Sequence, residues 1–551
     1  MVSRAFHFVY KEIKGLHHAA YILAIFAFGS QVLAIVRDRM LAHTFGAGAE
    51  LDLYYVAFRI PDLLFVLFAS VLSIYVLLPF VERATMTDAK RSILSQVFTL
   101  FLLVYTGLAV VLAALAPWYV PYVFPGYAAE SATLTILIQI LLLQPLLLGI
   151  STICGVVTQM HHRFVLYAIS PLLYNVGIIF GLVALYPFFG LPGLVSGVVL
   201  GALGHVLVQV PYVRNSPFAF IATFNFDWVQ VRQMLFVALP RALTLSLNQL
   251  VLLLFISIAT TMTVGSVSVF QFAFNIQSVP LAIIGMSYSV AAFPTLSHLH
   301  AARNQLGFNA QLMTALRHIV FWSMPIIGLV IVLRAHVIRV LLGSGEFDWS
   351  DTRLTAAVLA VFVVSLAAQA ALLLIVRAFY AGGRTLLPLL YTLISSGAAV
   401  LIAYIGLWYW QQSVALQVLI STVFRLESVP GAEVLVLAAA FTCGQLLLII
   451  MLLLQARYTF ALSVRPLGRL LLHAIAASAS GAMVAYTVLR FVVEGVNQNV
   501  FVGIALQGTV AGVAGLVTVI AVYYALQTQE LSETVHSFRK KIRPGDARKS
   551  Q

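Results

Sequence analysis

The chain has 551 residues, 62% of them hydrophobic and only 9% charged, with a mean hydropathy of +1.02. So few charges cannot solvate the surface of three or four soluble domains, so the chain requires a bilayer. The formal charge of +13 would suit nucleic acid in a soluble protein. In a membrane protein it reflects arginine and lysine on cytoplasmic loops, so no nucleic-acid partner is expected. Two cysteines, Cys154 and Cys443, both lie in apolar runs. They exclude a disulfide framework or a zinc cluster and read as helix-packing residues.

A hydrocarbon core is crossed by about 20 apolar residues, and the sequence predicts fourteen such spans. In chain order they cover about 18–36, 51–81, 93–116, 132–158, 165–187, 191–213, 234–262, 266–296, 313–341, 354–380, 386–410, 432–455, 466–490 and 500–527. Lys11 and Lys14 precede the first run as in a signal sequence. That run continues to Val36 with no small-residue cleavage site, so an uncleaved first helix is expected. Val414 to Phe424 is apolar but too short to span and is expected along the interface. From Ser532, the basic residues Arg539, Lys540, Lys541, Arg543, Arg548 and Lys549 predict a disordered cytoplasmic tail.

Orientation follows from basic residues on the connections. With the N-terminus inside and the spans alternating, 22 of the 31 lysines and arginines fall on the inner side. The outer connections Pro117 to Ser131 and Tyr186 to Gly193 contain none. Both termini are therefore expected in the cytoplasm. An internal echo relates Ala57-Phe58-Arg59-Ile60, followed by Pro79, to Ala273-Phe274-Asn275-Ile276, followed by Pro294. The offset of about six spans predicts two parallel halves related by an axis along the membrane normal, as in rocking transporters. The expected organisation is all-α and polytopic: 1–230 with six spans, 231–459 with six, 460–530 with two, and a basic tail at 531–551.

Charges in hydrocarbon cost about 2.5–3.5 kcal/mol each on the gentler scale, so their positions are informative. Arg37, Asp38, Asp52, Arg59, Asp62 and Arg241 all sit where lipid is expected. Asp52 and Arg59 share a helix face, and Arg59 and Asp62, three apart, can pair. Arg37 and Asp38 close the first span ahead of Gly46-Ala47-Gly48. These five can line one cavity between the first two spans, or form self-satisfied ion pairs near the outer interface. Arg241, after Pro240 near the start of the seventh span, either snorkels or adds the second half's contribution. Asn175 reads as an interhelical hydrogen-bonding residue. His161-His162-Arg163 lies on an inner connection, where no metal role is expected. No phosphate loop, Walker lysine or catalytic carboxylate pair is present in the sequence, so neither an enzyme nor a cofactor is expected.

The first eighty residues resemble the MurJ (MviN) lipid II flippases of the MOP exporter superfamily. The resemblance rests on Val36-Arg37-Asp38, Phe45-Gly46-Ala47-Gly48, Asp52, Val56-Ala57-Phe58-Arg59-Ile60-Pro61 and Pro79. It continues through Arg163-Phe164, Pro171 to Gly177, Gly197 to Gly201, Pro240, Phe293-Pro294-Thr295-Leu296-Ser297, Leu342 to Phe347 and Arg377 to Ala381. Fourteen helices is also that family's number. The resemblance implies a bacterial inner-membrane flippase that moves lipid II, a polyprenyl-diphosphate-linked disaccharide peptide, from the inner to the outer leaflet. It implies alternating access, a role in cell-wall synthesis, and partners among cell-wall synthesis proteins. Arg37 and Asp52 fall on positions the family uses, and Arg59 where it often has a basic residue.

The departures are specific. Gln31, Phe65 and Val66 stand where the family has arginines, and Ser70-Val71-Leu72 replaces its Glu-Gly-Ala. Asn275 stands at the eighth span's important arginine, Ser278 at the acid after it, and Phe255 at the seventh span's acid linked to cation coupling. Arg37, Asp38, Asp52, Arg59, Arg241 and Asn275 are thus the candidate substrate-binding residues. Two alternatives remain: a MOP-superfamily transporter of another lipid-linked or amphipathic substrate, and a transport-dead membrane scaffold.

Overall fold

A computed structural model describes residues 16–84, 86–492 and 500–542. Lys11, Lys14, Arg543, Arg548 and Lys549, named above, lie outside the described residues. All regular structure among the described residues is helical. The chain forms two compact units, Met1–Ser268 with Ser344–Asp348, and Val269–Gly343 with Trp349–Gln551.

In the first unit α1 (Leu16–Phe45) covers the expected first span. The second span is broken into α2 (Ala49–Ala57), α3 (Arg59–Val71) and α4 (Ile74–Arg83). Pro61 causes the first break, because it has no N–H for the Ala57 carbonyl and its ring crowds that carbonyl. At the second break the Ser70 hydroxyl donates to the Val66 carbonyl at 2.6 Å and the Ser73 hydroxyl to the Ser70 carbonyl at 2.9 Å. Side-chain donors of this kind bend helices.

Next come α5 (Thr87–Val123), α6 (Ser131–Leu141), α7 (Leu143–Met160), α8 (Phe164–Phe180) and α9 (Tyr186–Leu207). The expected fifth and sixth spans run together as Phe164–Arg214 and are separated by non-helical backbone at Gly190 (φ 61°). Here α8 and α9 pack with glycine against glycine. A Cβ on Gly177 would meet the backbone of Gly201, and one on Gly181 would lie 2.7 Å from the Gly197 Cα. The two small-xxx-small stripes therefore face each other in antiparallel register, which brings the backbones close enough for dispersion to hold the pair in lipid.

After the short α10 (Val210–Arg214), α11 (Trp228–Ala259) is capped by Asp227, whose carboxylate accepts from the Val229 and Gln230 amides at 3.1 and 3.2 Å. This helix packs along α3 and α4 and belongs to the first unit. The sequence placed it at the head of the second half, with the border at 230/231. By packing, the border falls at Ser268/Val269.

The second unit contains most of α12 (Ser266–Leu281), then α13 (Ser287–Ala301), α14 (Gln305–Leu341), α15 (Trp349–Val363), α16 (Leu366–Ala381) and α17 (Leu386–Gln412). It continues with α18 (Val414–Phe424), α19 (Val434–Phe460), α20 (Arg465–Thr487), α21 (Phe501–Ala525) and α22 (Gln529–Ile542). The final two spans, α20 and α21, pack on α14. Ser478 donates to the Met324 carbonyl at 2.7 Å and Tyr523 to the Phe321 carbonyl at 2.9 Å. Gly481 and Gly515 each place the other's carbonyl oxygen 2.8 Å from where a Cβ would stand.

Among the described residues, 11 helices are long and apolar enough to cross a membrane, or 12 if α15 and α16, bent by 45°, form one span. This multi-pass helical architecture agrees with the predicted class, while the count of fourteen is not reached on these criteria. α18 is the short helix expected between the eleventh and twelfth spans, and none of its residues is buried. Of the two free cysteines, Cys154 is buried and Cys443 exposed.

The stretch from Ser532, expected to be disordered, is helical as far as Ile542. An anchor invisible to local composition explains this: Arg317 of α14 pairs with Glu530 at 2.6 Å, and His318 with Glu533 at 2.9 Å. Glu530 is buried, so its pairing is not the weak surface kind. Glu530→Ala is expected to release α22, read as faster proteolysis within 526–542 while the remaining spans stay protected. Unchanged cleavage would remove this anchor from the account.

Candidate functional site

The charges of the first two spans separate into two places. The first is a polar cluster built from α1, α2, α3, α7 and α8. Arg37 donates through Nε and Nη2 to Asp38 Oδ1, at 2.9 and 2.7 Å, and through Nη1 to Asn175 Oδ1 at 3.0 Å. Asn175 also donates to Ser30 at 3.4 Å and to the Pro171 carbonyl at 3.1 Å. It therefore ties α8 to α1, which is the interhelical role read from the sequence. The Arg37 side chain is 19% exposed and that of Asp38 10%, so this ion pair is largely withdrawn from its surroundings.

Arg59 sits at the break between α2 and α3. Its Nε donates to the Tyr55 carbonyl at 3.2 Å, using an acceptor that the interrupted helix makes available. Asp62, one turn on, lies within electrostatic reach of Arg59. Tyr54 and Tyr55 lie within electrostatic reach of Arg37 and Asp38. From α7, Gln144 donates to the Tyr174 hydroxyl of α8 at 3.0 Å. Tyr174 in turn lies within reach of Asp62, Tyr54 and Arg37.

The cluster holds two guanidinium groups, two carboxylates, three phenols and two amides, and its formal charge is zero. It can exchange an internal carboxylate for an external anion without leaving a cation bare. Sequence reading missed Gln144, Tyr174, Tyr54 and Tyr55. The available signal was a glutamine and tyrosines inside apolar spans, which an inventory restricted to charges passes over.

Asp52 is the second place. It is 1% exposed and accepts four hydrogen bonds. Oδ2 receives the Tyr127 hydroxyl at 2.9 Å and the Gly265 amide at 2.7 Å. Oδ1 receives the Ser268 amide at 2.7 Å and the Ser268 hydroxyl at 2.5 Å. Burial, and then the Asp52 charge, raise the Tyr127 phenol above its usual pKa, so it remains a donor. Gly265 (φ 92°) turns tightly against the Ala47 carbonyl, where a Cβ has no room. The Gly126 amide donates to Thr260 at 3.3 Å and the Ser257 hydroxyl to the Val123 carbonyl, which tightens the same corner. The structure thus places Asp52 in a clamp joining three connections, apart from the Arg37 and Arg59 cluster with which the sequence grouped it.

Arg241 stands well inside α11, which begins at Trp228, and not near the helix start as expected. At 1.5 Å per residue it lies about 20 Å from the N-terminal end, on the helix that packs along the Arg59-bearing α3. Asn275 belongs to the second unit. Its side chain accepts from Gln271 at 2.6 Å, and its carbonyl accepts from Ser278 at 2.6 Å. The sequence echo does not extend to geometry here: Arg59 is at a helix break, whereas Asn275 lies within α12, where Gln277 occupies the position matching Pro61. Phe255 is fully buried in the first unit. Among the described residues, no group of three histidines, cysteines or acids is placed to hold a metal ion.

Long apolar helices in two units, with a charge-balanced cluster enclosed in the first, define a multi-pass helical membrane protein. An inward-facing multidrug transporter of the MATE family in the MOP superfamily superposes with a TM-score of 0.62 at 14% identity, covering 78% of this chain and 94% of that one. A lipid II flippase MurJ in an inward closed conformation gives a TM-score of 0.71 at 19% identity, covering 92% of this chain and 100% of that one. The chain belongs to the lipid II flippase MurJ family, whose model matches residues 41–417. The probable lipid II flippase MurJ of Thermotoga maritima is 27% identical over 373 residues, covering 67% of this chain and 75% of that protein. The lipid II flippase MurJ of Burkholderia cenocepacia is 25% identical over 378 residues, covering 66% and 73%.

Proposed function

We propose that this protein translocates lipid II from the inner to the outer leaflet of the bacterial cytoplasmic membrane by alternating access, with both termini in the cytoplasm. Family membership carries the substrate assignment, and the Arg37–Asp38–Asn175 arrangement supports a binding role. A diphosphate cannot enter hydrocarbon without replacement of its hydration, and arginine's planar fork supplies paired donors for phosphate oxygens. Asp38 occupies that fork and holds Arg37 oriented. When diphosphate replaces Asp38, Arg37 remains paired, which limits the desolvation cost of loading. Arg59, with its helix break and neighbouring phenols, supplies the second cationic contact. Arg241 and Asn275 are assigned weaker, positioning contacts with the head group.

The absence of arginine at Phe65, Val66 and Asn275 favours one second reading, a related polyprenyl-diphosphate lipid with a smaller anionic demand. The test is rescue of a cell depleted of its own lipid II flippase, with native mass spectrometry of lipid co-purifying with the protein. The intact chain is expected to restore growth and to carry lipid II. Arg37→Gln and Arg59→Gln are each expected to abolish rescue while inserting normally, because both remove a cationic donor from the diphosphate. Failure of the normally inserted intact chain to rescue, together with a different co-purified polyprenyl lipid, would reject lipid II in favour of the second reading.

A further inference from the structure

The second unit carries a concentration of arginine that the flippase reading does not use. Arg334 lies near the C-terminal end of α14, Arg490 just beyond α20, and Arg425 at the end of α18. Arg425 lies within electrostatic reach of Arg334. Arg490 donates to the Tyr486 hydroxyl at 3.3 Å, and Arg425 hydrogen-bonds the same phenol. Arg353 adds a fourth cation, donating to the Arg425 carbonyl and standing 4.0 Å from Glu427. Among the described residues, no carboxylate lies within ion-pair distance of Arg334, Arg425 or Arg490. Arg425 and Arg490 meet at one phenol, with Arg334 in reach of Arg425, and these like charges repel one another.

Beside this cluster lies α18, eleven residues long, with no buried residue and with Val414, Val418, Leu419 and Val423 each more than half exposed. It is too short to cross hydrocarbon, and its exposed apolar surface is costly in water. Its start is fixed by Ser413, whose hydroxyl accepts from the Leu416 amide at 3.2 Å, and by Gln417, which donates to the Trp410 carbonyl at 2.7 Å. Its end is fixed by Arg425 in a left-handed turn (φ 60°). An exposed apolar helix too short to span therefore ends directly at a cation cluster.

We infer that Arg334, Arg425 and Arg490, with Tyr486, bind the phosphate of an anionic phospholipid whose acyl chains lie against α18. Phosphate offers charged acceptors, where Arg334 and Arg490 now donate only to the neutral Ile331 carbonyl and Tyr486 hydroxyl among the described residues, and arginine clusters between spans suit lipid head groups. The exposed face of α18 selects a lipid over free phosphate, because only a lipid covers the apolar surface and neutralises the cluster together. This site lies wholly within the second unit and does not depend on Arg37 or Arg59.

The experiment uses the full chain in nanodiscs of phosphatidylcholine containing a titrated fraction of phosphatidylglycerol, with bound lipid read by native mass spectrometry. Arg425 and Arg490 are exposed, so Arg425→Gln and Arg490→Gln preserve the fold. An arginine near the surface is worth about 1 kcal/mol towards anionic lipid, roughly fivefold in affinity. Each variant is expected to lower phosphatidylglycerol retention by about that factor, and the pair roughly thirtyfold, whereas Arg425→Lys retains most of it. Equal retention by intact chain and double variant, or equal retention of both lipids, would overturn the proposal. So would inorganic phosphate displacing the lipid at millimolar concentration while Val418→Ser leaves retention unchanged, since the site would then recognise phosphate alone.

Discussion

Replacing Asp52 with alanine is expected to unfold the corner where three connections meet, and not merely to weaken substrate binding. The substitution strands the Tyr127 hydroxyl, the Gly265 and Ser268 amides and the Ser268 hydroxyl, all of which donate to this one carboxylate. Each buried donor left unmet costs about 1–3 kcal/mol, so even with partial relaxation the loss is several kcal/mol. Asparagine does not rescue it. Each Asp52 oxygen already takes two donors, so either orientation of the amide turns its NH2 towards a backbone N–H, at Gly265 or at Ser268. Both variants are expected to lower the thermal midpoint in detergent and to expose the 260–266 turn to protease. A ligand-only role for Asp52 predicts the reverse: unchanged midpoints and reduced substrate affinity. Asp52→Asn with wild-type stability would discard the clamp.

Gly197→Leu is the second substitution with a large expected effect. A Cβ on Gly197 would collide with the Gly181 backbone, and neither backbone can move without opening the α8–α9 seam. Overpacking ordinarily costs about 1–3 kcal/mol, but that range assumes side chains that can rearrange. Here backbone meets backbone, and α8 also carries Asn175 to Arg37 and Tyr174 to Gln144. The variant is expected to lose monodisperse behaviour after extraction, with transport lost alongside stability. Gly204→Leu is the control on the same helix. Its added Cβ would meet only the Leu173 side chain at 3.6 Å, so it is expected to remain folded. Comparable behaviour of the two variants would show that the seam does not hold the pair.

The flippase family was legible in short motifs around Arg37, Gly46, Asp52 and Arg59, because local turns and breaks leave local signatures. The second span was read as one run over 51–81; the structure breaks it, and Pro61 accounts for the first break, since a missing N–H acts on the residue four positions back. The apolar runs likewise fixed the multi-pass class, and the shortness of Val414–Phe424 set it apart as a non-spanning helix. What sequence could not decide was which charge meets which partner. Asp52 and Arg59 share a helix face on paper, yet Asp52 turns to donors 75 to 216 residues away, because the hydrogen-bonding needs of distant connections outweigh local spacing. Only the folded chain assigns α11 to the first unit, anchors α22 through Glu530 and brings Arg425 and Arg490 to one phenol with Arg334 in reach of Arg425. Sequence by itself determined that the chain is multi-pass and what charge its apolar segments carry, since transfer from water to lipid depends on each segment's own composition. Tertiary structure alone decided which charges are neutralised within the protein, since pairing in a low-dielectric interior depends on distances that chain order does not encode.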